Sequence, residues 1–189
     1  MTRRTLLAIT ELFVIVMMAS SGIAQTPALS VRVSDLKRSA PLTMYFGNDN
    51  RATYGIDKSL GESEGPPLSP SLDVRWLSRR KDISYGFGLL RNDFVPCPTN
   101  EERKDTFILL ISQLDKKPTT WILEWKRDEI RAWADSMFLV VRNDMTMKVN
   151  MLKSDSARIS SEEGVQRVTI YKYGECGTPR PRTHPIKSH

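Results

Sequence analysis

Thr119-Thr120-Trp121-Ile122-Leu123-Glu124-Trp125-Lys126 is the stretch whose pattern decides the fold class. Successive side chains point to opposite faces of a strand, so Trp121, Leu123 and Trp125 share one face while Ile122, Glu124 and Lys126 share the other. Working outward, Ser30-Val31-Arg32-Val33-Ser34 alternates just as strictly, and residues 41–46 read as a strand ending at Gly47. Residues 72–77 and 106–112 follow; the second run is almost wholly apolar and is expected to be buried on both faces. Residues 136–141, 145–152, 157–160 and 165–173 complete the set. The one helical candidate is 127–134, where Ile130, Trp133 and Ala134 fall at i, i+3 and i+4.

Short strands with short connections and a single stray helical turn predict an all-β fold, a single antiparallel β-sandwich of Ig-like or jelly-roll type. A parallel α/β sheet would require crossover helices, for which the pattern has no room. The domain organisation follows. Residues 1–24 read as a signal peptide, 25–176 as the sandwich domain, and 177–189 as a disordered, basic, proline-rich tail.

The signal peptide rests on Arg3 and Arg4 before the apolar run from Leu12 to Met18, then Gly22-Ile23-Ala24, small residues suited to cleavage before Gln25. The run is far shorter than the ~20 residues that span a bilayer, so no stable membrane insertion is expected after cleavage. No cysteine follows it that could carry a lipid. The expected location is secreted or in the cell envelope: periplasm, cell surface or medium. The formal charge is +6, but its lysines and arginines are spread along the chain without a dense run interleaved with aromatics. Nucleic acid is therefore not expected as a partner.

Cys97 and Cys176 are the only cysteines. An even pair in an exported chain tends to close, so a Cys97–Cys176 disulfide is expected. It would enclose about 79 residues and contribute roughly 4 kcal/mol in the chain-entropy picture. Cys97 sits between Pro96 and Pro98 and Cys176 just after the last strand, so the bridge would tie the C-terminal strand to a mid-chain loop.

The segment from residue 46 to 70 is too long to be an ordinary connection, because unstructured loops beyond ~12–15 residues are usually functional or self-packed. Its order Phe46-Gly47-x-Asp49-x-x-Ala52-Thr53-x-Gly55-Ile56-Asp57-x-x-Leu60-Gly61-Glu62-x-Glu64-x-Pro66-Pro67-Leu68, followed by Asp73-x-Arg75, resembles a β-sandwich module of bacterial exported and surface proteins, often found with type IX secretion sorting domains. The similarity continues weakly through Trp121 to Trp125 and from Lys148 to Tyr171. It implies a non-catalytic extracellular module and brings no established ligand-binding residues. Tyr54 stands where a small polar residue is common, and Ser69 interrupts the proline run. The chain stops shortly after its last strand, so export by the sorting-domain route is not expected.

Chemistry is narrowed by what the domain lacks. The two histidines, His184 and His189, both fall in the tail, which leaves no imidazole for a triad, a general base or a zinc site in the domain. No P-loop or dinucleotide fingerprint is present, and Gly86-Phe87-Gly88 lacks the third glycine and the following helix. Asp49, Asp57, Glu62 and Glu64 share the long loop and could form a glycosidase pair or hold calcium, although their spacing does not match an EF-hand. Trp76, Trp121, Trp125 and Trp133 could stack sugar rings if exposed, but three of them lie at core-compatible parity. The reading is a non-enzymatic exported module acting through its surface on a protein or glycan partner. A carbohydrate-binding module and a carboxylate-based glycoside hydrolase are the alternatives. No catalytic, cofactor-binding or metal-ligating residue is assigned, and no cofactor is expected.

Overall fold

The computed structural model describes residues 28–35, 41–63, 72–77, 89–90, 92–99, 103–113, 117–142, 146–174 and 176. The signal segment 1–24, the tail with both histidines, Glu64 and Gly86-Phe87-Gly88 lie outside the described residues.

Strands β1 (Leu29–Asp35), β2 (Leu42–Asn48), β3 (Leu72–Leu77), β4 (Leu89–Leu90), β5 (Asn92–Val95), β6 (Lys104–Gln113), β7 (Thr119–Trp125), β8 (Ser136–Arg142), β9 (Thr146–Asn150), β10 (Ser156–Ser161) and β11 (Val165–Tyr173) form two sheets. One has the order β10-β7-β1-β2-β5, the other β4-β3-β6-β11-β8-β9. This is an all-β sandwich. Alternation builds each inner face: Val31, Val33, Met44, Phe46, Trp121 and Leu123 from the first sheet meet Trp76, Phe107, Leu109, Ile111, Leu139 and Ile170 from the second. The centre is a cluster of rings, with Phe46 4.9 Å from Phe107 and 5.0 Å from Trp76. Edge-to-face and tilted contacts of this kind add to the burial of their area.

Helix α1 (Arg127–Trp133) carries the chain from β7 in one sheet to β8 in the other. It is short and holds on by Ile130, which is buried in the core, while Asp128 and Glu129 in its first turn suit the positive end of the helix dipole. Trp125, just before it, donates its indole N–H to the carbonyls of Met151 (2.9 Å) and Ser154 (2.7 Å), fixing the β9–β10 turn.

Three expectations are corrected. The sandwich is not wholly antiparallel: β2 and β5 pair in parallel, made possible because β3 and β4, in the other sheet, intervene between them in the chain. Strands β4 and β5 were not legible in the pattern; β5 opens on Asn92-Asp93, residue types poor in strands, and is held by its neighbours. The strand buried on both faces is β3 rather than the apolar β6. Along β6, Asp105, Phe107, Leu109 and Ile111 are buried, and Thr106, Ile108, Leu110 and Ser112 are only half-buried.

Candidate functional site

Three groups of side chains merit attention, beginning with the long loop. Its described carboxylates, Asp49, Asp57 and Glu62, are engaged by groups of the loop itself and of β5. Asp49 pairs with Arg51 (2.8 Å) and also accepts the Arg51 backbone N–H (2.8 Å). Asp57 accepts the Thr53 N–H (2.6 Å). Glu62 is buried and accepts two backbone N–H groups at 2.6 Å, from Asp57 within the loop and from Phe94 on β5. Asn92 donates to the Gly61 carbonyl (2.8 Å), and Gly61 takes the left-handed conformation (φ 81°) that ends the 3-10 turn Lys58–Leu60. The loop is thus packed onto β5 through its own polar groups. Among the described residues no cluster of three or more His, Cys, Asp or Glu side chains is arranged to hold a metal ion. Asp73 and Arg75, two residues apart on the outer face of β3, form a buried ion pair at 2.6 Å.

Burial pushes the Glu62 carboxyl above its ordinary 4.5, and the two N–H bonds oppose it. A raised folded-state pKa means the folded chain holds this proton where the unfolded chain has lost it, so Glu62's contribution falls as pH rises from the ordinary carboxylate range through its folded value. Glu62→Gln removes that titration and one acceptor. The stability difference between wild type and this variant, followed by denaturant unfolding across the acidic to neutral range, should shift in the variant's favour as pH increases.

The second group lies at one end of the interior, where polar residues occupy core parity. Asn48 follows Met44 and Phe46 on the inner side of β2, Asp105 precedes Phe107 on β6, and Lys172 follows Val168 and Ile170 on β11. All three are buried. Lys172 and Asp105 are direct cross-strand partners, and Asn48 reaches over from the opposite sheet to donate its Nδ2 to Asp105 Oδ2 at 2.6 Å and to the Pro96 carbonyl at 3.3 Å. Among the described residues, Asn48 Oδ1 and Lys172 Nζ are buried without a hydrogen-bond partner. Burial lowers the Lys172 pKa, opposed by the charges of Asp105 and Asp135. The disulfide Cys97–Cys176 closes the same end, with Cα atoms 5.4 Å apart, and joins the segment after β5 to the segment after β11 as expected. Between Lys172 and Cys176 the backbone turns at Gly174 (φ 132°), where any Cβ would meet the Asp135 amide nitrogen at 2.8 Å.

The third group is the outer face of the six-stranded sheet. Tyr171 lies opposite Phe138 on β8, and Tyr173 sits edge-on to Phe138 at 6.3 Å. The three rings are half-buried. Lys104 Nζ lies 5.0 Å from the Tyr171 ring and 5.8 Å from that of Tyr173, and Lys148 Nζ lies 4.2 Å from Phe138. Arg142 and Arg167 share this face, and among the described residues the outward positions of β6, β8, β9 and β11 hold no carboxylate. The tryptophans supply no sugar platform here, as the core parity of three of them led one to expect. Trp76, Trp121 and Trp125 are buried, and Trp133 packs partly buried against the core.

The alternation of β11 and β6 carried the signal for the second group, since a lysine and an aspartate interrupt apolar faces at matching ends. Asn48 had no such signal beyond its parity. The chain matches no family model, no curated protein and no solved structure. Among the described residues no helix is long and apolar enough to cross a membrane.

Proposed function

We propose that the chain is a non-enzymatic, exported β-sandwich module that works through its surface, in adhesion, assembly or envelope structure, and that the working surface is the outer face of the six-stranded sheet. The observation that carries this reading is the stripe of Phe138, Tyr171 and Tyr173 with lysines against the rings and, among the described residues, no carboxylate on the outward positions of β6, β8, β9 and β11. Half-buried rings, the amphipathic tyrosines above all, are the kind of residue that anchors contacts with a partner. Export is supported by the order of Arg3-Arg4, the apolar run and Gly22-Ile23-Ala24, and by a disulfide suited to an oxidising compartment. The loop's likeness to the bacterial surface module points the same way.

A carbohydrate-recognition module is the second reading, favoured by the same rings, which would replace the buried tryptophans as the stacking platform. Each ring contributes about 1 kcal/mol beyond its buried area. The double variant Tyr171→Ser/Tyr173→Ser, which removes two rings and so about 2 kcal/mol, is therefore expected to lose about thirtyfold in retention on the envelope fraction of the producing cells, since 1.4 kcal/mol is tenfold. Its circular dichroism should match the wild type. Unchanged retention would sink the assignment of this face. A glycan array read with and without calcium separates the readings: binding lost in the double variant supports carbohydrate recognition, and no binding to any glycan leaves a protein partner.

A further inference from the structure

We propose that Lys172 and Asn48 become covalently joined inside the sandwich by an isopeptide bond from Lys172 Nζ to Asn48 Cγ, with Asp105 as the proton carrier. This does not depend on the surface reading. Three observations on independent strands converge on it. Lys172 and Asn48 both occupy core parity at the same end of the interior, in opposite sheets. Asp105 adjoins both, as the direct cross-strand neighbour of Lys172 and the acceptor of the Asn48 Nδ2 hydrogen at 2.6 Å. The two atoms that a simple polar network would satisfy, Lys172 Nζ and Asn48 Oδ1, are buried without a hydrogen bond among the described residues.

A structural ion pair would place the ammonium on the carboxylate. Here Asp105 Oδ2 accepts from the amide, and a buried ammonium with no hydrogen bond among the described residues is a costly arrangement for a fold to retain even with the charges of Asp105 and Asp135 acting on it. Acylation removes the cost, because a cation and a primary amide become one neutral secondary amide. The step balances without any oxidant or co-reactant. Burial favours the neutral amine, as it does for Lys172. Its lone pair attacks Asn48 Cγ, and the carbonyl π bond opens to a tetrahedral intermediate. Asp105 takes a proton from Nζ and delivers one to Nδ2, the nitrogen it already touches. The Cγ–Nδ2 bond then breaks, the carbonyl re-forms, and ammonia leaves. Phe46 and Phe107, one strand repeat inward from Asn48 and Asp105, pack 4.9 Å apart beneath the triad and keep its floor apolar. An excluded-water site strengthens the charge interactions on which such proton transfer depends.

The test is peptide mapping by mass spectrometry of the reduced, folded full chain. A cross-linked chain gives one branched tryptic peptide, equal in mass to the Asn48 and Lys172 peptides together less one ammonia, and trypsin does not cut after Lys172. Separate peptides of unaltered mass, with cleavage after Lys172, would overturn the proposal on the wild type alone, whatever the variants do. Lys172→Arg and Asn48→Ala should each abolish the branched peptide. Asp105→Ala retains both reacting groups and should slow its formation about 10²-fold or more, as for loss of a general acid–base. Formation at the wild-type rate would remove Asp105 from the mechanism.

Discussion

Phe46→Ala is expected to lower the stability of the domain by about 3–5 kcal/mol, the usual cost of truncating a fully buried phenylalanine. The ring is wholly inaccessible and sits where the two sheets meet, against Trp76 and Phe107. Its removal loses transfer free energy, leaves a cavity between rigid aromatic neighbours, and breaks two ring contacts at once. Total stability for a domain is about 5–15 kcal/mol, so the loss is about a fifth of the whole or more. Urea unfolding followed by tryptophan fluorescence measures it, with Trp76 as the adjacent reporter. A loss below about 1 kcal/mol would mean the site collapses freely and the ring cluster is not the centre of the core.

The second large effect is that of the disulfide. Cys97→Ser/Cys176→Ser is expected to cost about 4 kcal/mol, because the bridge closes 79 residues of chain and restricts the unfolded ensemble accordingly. For a domain of this size that corresponds to a fall in Tm of about 8–16 °C. Differential scanning calorimetry of the double variant beside the wild type, with and without reductant, gives the number; reductant should lower the wild-type Tm and leave the variant unchanged. The bridge also anchors the carbonyl of Pro96, which accepts from Asn48, so its loss loosens the end of the interior where the polar triad lies. If the Lys172–Asn48 amide forms, it persists in the variant once made, because it is not reducible.

Several elements were legible because their cause is local. Residues 72–77 and 165–173 have the bounds that alternation and turn residues predict, and the burial of Trp121 and Trp125 follows from their parity with Leu123. The Cys97–Cys176 pairing follows from there being only two cysteines. The candidate site was less legible. The loop carboxylates stood out as chemistry-bearing residues, yet Glu62 serves as an acceptor for the backbone of β5, a strand whose own sequence gave no strand signal. The stripe of Phe138, Tyr171 and Tyr173 could not be separated from core by composition, because these residues alternate with buried ones on both strands.

By itself the sequence determined the class of fold, the faces of most strands, the export signal as an expectation and the identity of the bridge, all of which depend on period, composition or pair count along the chain. Tertiary structure alone decided which strands share a sheet, that β2 runs parallel to β5, that β3 and not β6 is enclosed on both sides, and that Asn48, Asp105 and Lys172 meet. The reason is that parity tells a residue which way to face, but not what stands opposite. That depends on register between segments far apart in sequence, and on which of two apolar sheets closes over them.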